Sequence, residues 1–222
     1  MKHYHSLFVS VILLSCGTGT KNEQISGAAT SNKKSIYVVD PELVDELFIV
    51  ESHNQQEYPF KEVETQIVDL NEDGKDDKIT LFIIENWGDP GNFQKIRVEL
   101  TGDEPYEFSN YGGWVTFNDN YSISEEIAAI NQLESQNILL LNATPNAKLI
   151  IVFGWVYASE PGLVTIIDPL ERTILFNKQW DLQQITDIDS NSFIELQGRS
   201  VFGGTTEVLD FGNSNLKLQK IN

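Results

Sequence analysis

From residue 62 onward the chain reads as short segments in which apolar positions recur at every second residue. In Glu62–Leu70, Val63, Thr65 and Ile67 alternate with Glu62, Glu64 and Gln66, the period of a strand with one buried face. β-Branched and aromatic residues carry further segments at 78–84, 93–100, 114–117, 138–141, 149–157, 163–167, 173–176, 185–188, 206–211 and 216–221. Turn residues separate them, as in Gly88-Asp89-Pro90-Gly91 and Glu160-Pro161-Gly162. Two stretches break the pattern. Ser122-Ile123-Ser124-Glu125 forms a capping box, and Ile123, Ile127 and Ile130 keep helical spacing up to Leu133, which predicts one short surface helix. Asp40-Pro41 opens either a short capped helix or a strand running on through Ile49 and Val50. The class expected is mainly β, built of stacked antiparallel units.

The N-terminus has a different texture. Lys2 precedes an apolar run, Leu7–Leu14, that is too short to span a bilayer and has the length of a secretory h-region. Residues 17–35 are small and polar with no apolar period, the composition of a flexible tether. The expected organisation is a leader over 1–15, a tether over 16–35 and a single folded domain over 36–222. The run ends Leu13-Leu14-Ser15-Cys16-Gly17, which resembles a bacterial lipobox. That resemblance implies acylation of Cys16, the single cysteine of the chain, and, with Gly rather than Asp after it, the outer membrane.

One stretch carries chemistry. In Asp69-Leu70-Asn71-Glu72-Asp73-Gly74-Lys75-Asp76-Asp77, side-chain oxygens fall at loop positions one, three, five and nine on Asp69, Asn71, Asp73 and Asp77. Gly74 sits where the backbone must turn sharply, and Lys75 offers its carbonyl. A hard cation that takes six to eight oxygens suits this spacing, and carboxylates so close repel one another without one. The flanking segments are strands, and Thr80 stands where an EF-hand requires Glu. The strand–loop–strand layout resembles the FG-GAP/VCBS type of calcium loop, which implies Ca2+ as a structural clamp and a propeller-like β fold. A second copy aligns Asp187 with Asp69, Asp189 with Asn71, Asn191 with Asp73, Ser192 with Gly74 and Glu195 with Asp77. It lacks the glycine and is the weaker candidate, but a repeat supports stacked β units. A plain solvated acidic turn is the alternative for either loop.

Composition narrows the function. The chain has 222 residues, 33 acidic against 15 basic, for a net charge of −18. Such a chain repels nucleic-acid backbones and anionic membrane surfaces, so membrane contact is expected through the lipid anchor alone. After removal of residues 1–15 a single histidine, His53, and no thiol free for a disulfide remain. A His/Cys zinc site and a cysteine nucleophile are thereby excluded, and a Ser-His-Asp triad has only His53 to draw on. Asp103-Glu104 and Glu125-Glu126 read as a turn and a first helical turn rather than as a hydrolytic pair.

Trp155 and Trp180 lie among apolar neighbours and are expected in the core. Trp87 and Trp114, with Tyr111 beside it, are read in Gly-rich loops and expected to be exposed, and these three are the candidate partner-binding residues. The leading expectation is a non-enzymatic, lipid-anchored envelope protein whose calcium-clamped β domain binds a protein or glycan. One alternative is an inhibitor or immunity protein against a cationic cell-wall hydrolase, which the negative charge would steer into contact. The other is a glycan hydrolase with paired carboxylates.

Overall fold

The computed structural model describes residues 37–45, 59–84, 92–115, 133, 135, 137–144, 147–156, 160–191, 193–200, 203–212 and 216–221. All lie in the unit Asn32–Asn222. Among them eleven strands follow one another: β1 (Phe60–Val68), β2 (Asp77–Ile84), β3 (Asn92–Glu99), β4 (Tyr106–Val115), β5 (Ile138–Thr144), β6 (Ala147–Val156), β7 (Glu160–Asp168), β8 (Thr173–Thr186), β9 (Glu195–Ser200), β10 (Thr206–Asp210) and β11 (Lys217–Lys220). Among the described residues, the pairings of these strands are antiparallel and between chain neighbours, giving a four-stranded sheet β1–β4 and a seven-stranded sheet β5–β11.

The apolar runs of β5, β6 and β7 explain how the sheets stack. Successive side chains of a strand point to opposite faces, and here both faces are buried. Ile138, Leu140, Ile150, Val152, Leu163 and Ile167 pack with Ile79, Leu81, Ile96 and Val98 of the first sheet. Their chain neighbours Leu139, Leu141, Leu149, Ile151, Val164 and Ile166 pack with Trp180, Leu196, Leu209 and Phe211. A strand buried on both sides reads as a continuous hydrophobic run rather than an alternating one. β5–β7 with the first half of β8 therefore form a middle layer between two outer ones.

β8 makes this possible by serving two neighbours in turn. Its residues 173–179 pair with β7 and its residues 180–186 with β9. Counted by meander, the chain repeats one unit of four strands three times: β1–β4, β5 to the first half of β8, and the second half of β8 to β11.

Sequence and structure differ at three strands. The segments 173–176 and 185–188 are one continuous strand, because the intervening polar residues find partners. Asn177 is buried, accepts from the Thr165 hydroxyl at 2.7 Å, and donates to the Asp45 carbonyl at 3.1 Å. β4 begins at Tyr106, well before the segment 114–117, and β9 forms over a polar stretch that contains Gly198. At the entry to the domain, Asp40 Oδ1 accepts from the Glu42 backbone at 2.9 Å and caps a single 3-10 turn, Pro41–Leu43. Val44 then bridges to Asn177 in parallel. The helix read over 122–133 lies outside the described residues apart from Leu133, as do Cys16, His53 and Trp87.

Candidate functional site: two acidic loops

Both acidic segments connect the first and second strands of a meander. Asp69–Asp76 joins β1 to β2, and Asp187–Ile194 joins β8 to β9. In the middle meander the equivalent hairpin closes tightly, with Thr144 opposite Ala147, and leaves no room for such a loop.

The two loops fold alike because the same short side chains bond the same backbone groups, a competition with regular structure in which Asp and Asn excel. In the first, the Asp73 backbone N–H donates to Asp69 Oδ1 (3.1 Å) and Asn71 Oδ1 (3.0 Å). In the second, the Asn191 N–H donates to Asp187 Oδ1 (3.0 Å) and Asp189 Oδ1 (3.1 Å). Lys75 N–H donates to Asp73 at 2.9 Å, and Phe193 N–H to Asn191 at 2.8 Å. The closing acid behaves alike too: Leu70 N–H meets Asp77 at 2.8 Å and Ile188 N–H meets Glu195 at 2.6 Å. Glu72 (φ 57°) and Ser190 (φ 61°) occupy the left-handed region at the same place in each loop. At Gly74 (φ 81°) the first loop takes a turn that favours glycine. The alignment proposed from spacing alone thus corresponds to matching hydrogen bonds, position for position.

The carboxylates are disposed differently. Among the described residues, the ligand atoms of Asp187, Asp189 and Glu195 converge within 4.8 Å of one another, a grouping that can hold a metal ion. Glu195 is 3% exposed, and its Oε1 is buried without a hydrogen-bond partner. Burial, and then the charges of Asp189, Asp187 and Asp210, push its carboxyl above the usual range against the pull of the Ile188 N–H. In the first loop Asn71 stands at the position of Asp189, so the equivalent oxygens include an amide and no group of three carboxylates gathers there among the described residues. There the Lys75 ammonium, 3.0 Å from Asp73 Oδ2, holds the Asp73 carboxyl below its ordinary value. Asp77, 1% exposed, also accepts from the Thr101 backbone at 2.7 Å and so ties the loop to the β3–β4 turn. Lys148, at the start of β6, donates to the Asp69 carbonyl at 2.8 Å and lies 3.8 Å from Glu72. That contact from the middle layer carries no signal in the spacing of either segment.

The remaining sequence candidates fall as follows. Trp180 is buried, as expected of a core residue. Tyr111 and Trp114 belong to strand β4 rather than to a loop, because the backbone there pairs with β3, Trp114 opposite Phe93. Neither comes from an element that also carries an acidic loop.

Comparison of the chain with protein-family models, with curated proteins and with solved structures finds no match.

Proposed function

We propose that the chain is a lipid-anchored cell-envelope protein, held by an acylated Cys16, whose β domain is propeller-like, clamped by calcium, and acts as a non-enzymatic binding module. The observation that carries the calcium reading is the pair of loops with matched hydrogen bonds at the same station of two meanders, one of them gathering three carboxylates. The donor set fits the ion. Carboxylate, amide and carbonyl oxygens are hard ligands, and the buried Glu195 Oε1 needs a positive partner. When bound, the ion supplies charge neutralisation and fastens two strands together. The residues of the chain do the rest, by fixing the loop and turning its oxygens inward. The repeat of four-strand antiparallel meanders, two of them sharing β8, is what favours a propeller-like description.

The test is thermal. The melting temperature is expected to rise by several degrees in calcium relative to chelator, since an ion that binds only the folded state stabilises it by mass action. An unchanged melting temperature would leave two acidic turns and no clamp. For the binding role, Trp114 on β4 is the first residue to change, with Tyr111 and Trp87 after it. Loss of affinity for an envelope glycan or protein on Trp114→Ala is the expected result.

The net charge of −18 favours a second reading, an inhibitor of a basic cell-wall hydrolase. It requires salt-sensitive association with a cationic lysozyme-like enzyme. Absence of association at low salt would remove it.

A further inference from the structure

Resting on the calcium reading, we propose that the two loops have divided: 187–195 is the divalent-cation site, while in 69–77 the ammonium groups of Lys75 and Lys148 stand where a cation would otherwise be needed.

The inference turns on Glu195 Oε1. It belongs to a residue 3% exposed, it has no hydrogen-bond partner, and its carboxylate is one of three whose oxygens gather within 4.8 Å. Oxygens about 2.3–2.6 Å from a calcium ion lie at most about 5 Å from each other across it, so the spacing matches a shared ion. Among the described residues neither Asp189 nor Glu195 makes an ion pair. Asp210, the cross-strand neighbour of Glu195, adds negative charge to the same region. In its ionised form a buried carboxylate in such company is stabilised by a cation from outside the chain.

The first loop has no equivalent need. Each carboxylate oxygen of Asp69, Asp73 and Asp77 accepts a hydrogen bond from a protein donor: Asp69 from the Asp73 and Gly74 backbones, Asp73 from the Lys75 backbone and ammonium, Asp77 from the Leu70 and Thr101 backbones. The position that holds Lys75 in this loop holds Phe193 in the other. Lys148 adds a second ammonium to this loop through the Asp69 carbonyl and Glu72, and its side chain is only 17% exposed, which shields its charge from solvent. The middle meander, which lacks an acidic loop, thus lends its first lysine to the neighbouring meander that has one.

The test is calcium titration of the protein by calorimetry, with each variant first shown by circular dichroism to remain folded in chelator. One calcium per chain is expected. Asp189→Asn and Glu195→Gln should weaken it about tenfold or more, while Asp73→Asn leaves it nearly unchanged. The double variant Lys75→Met, Lys148→Met should gain a second ion. Two equivalent sites in the parent, or a site lost in Asp73→Asn and kept in Asp189→Asn, would overturn the division while leaving the calcium reading standing. A folded double lysine variant that still takes one ion would overturn the role given to the lysines. No binding heat in the parent would remove the calcium reading itself, and this inference with it.

Discussion

The indole of Trp180 fills the space that a side chain at Gly198 would occupy. A Cβ placed on Gly198 would lie 2.8 Å from the Trp180 ring and 2.6 Å from the Asp181 carbonyl, contacts that real side chains do not make. The tryptophan is itself fixed, with its Nε1–H donating to Glu207 at 3.1 Å and its ring edge-on to Phe176 at 5.4 Å. Gly198→Ala is therefore expected to cost about 2–3 kcal/mol in urea denaturation, as overpacking of a fixed core does. Trp180→Phe in the same chain should restore only part of this, because the clash with the Asp181 backbone remains.

Asp77 has a structural task apart from any ion. Its two oxygens satisfy the backbones of Leu70 and Thr101, one from its own loop and one from the β3–β4 turn. Asp77→Ala leaves buried donors unpaired and should cost about 3 kcal/mol. The loss should be the same in calcium and in chelator. A loss that appears only in calcium would move Asp77 into an ion site.

Glu195 gives a pH dependence with a definite sign. Its carboxyl is raised in the folded protein, by burial first and by Asp189, Asp187 and Asp210 next. Its contribution is therefore fully present below the unfolded value, near pH 4 for a glutamate, and is lost as pH rises through the folded value. In chelator, Glu195→Gln should match the parent near about pH 4 and become progressively more stable than it toward about pH 7. In calcium the order should reverse at neutral pH, since the amide is a poorer ligand. Melting curves of the two proteins across that range check both halves.

Tyr106 joins the first sheet to the β7–β8 turn, its hydroxyl donating to the Pro169 carbonyl at 3.0 Å. Burial, reinforced by the Asp168 charge, pushes its phenol far above the ordinary tyrosine range, with Arg172 opposing. Spectrophotometric titration of the folded protein and of Tyr106→Phe should show the same number of tyrosinates forming near pH 10. Loss of the bond should cost about 1 kcal/mol.

Much of this was legible in the residues themselves. Apolar runs at 138–141, 149–157 and 163–167 announced strands, and the spacing of Asp69, Asn71, Asp73 and Asp77 announced a loop whose side chains fold back on the backbone. Spacing also aligned the second loop with the first. What it could not give was the balance of charge in each. Asp73 has the Lys75 ammonium beside it within its own loop, whereas Glu195 is buried among Asp189, Asp187 and, from β10, Asp210; burial and a neighbour from another strand leave no mark in local spacing. Nor could local pattern join 173–176 to 185–188, since Asn177 is polar inside a core and is tolerated there only through Thr165 and Asp45. Tyr106 and Gly198 begin or occupy strands that no run of β-formers marks, and their places are set by what packs on them.

The middle layer has a consequence for recognition. β5, β6 and β7 turn both of their faces to neighbouring sheets, so among the described strands they offer a visitor only their ends and the edge of β5. A broad footprint on the described strands falls on the outward side of β1–β4 or of β9–β11. Among the described strands, the middle layer is reached at the rim where the hairpins emerge or along the edge of β5. One such rim carries Lys148 beside the first acidic loop. A partner docking there would therefore meet positive and negative charge from two different layers at once.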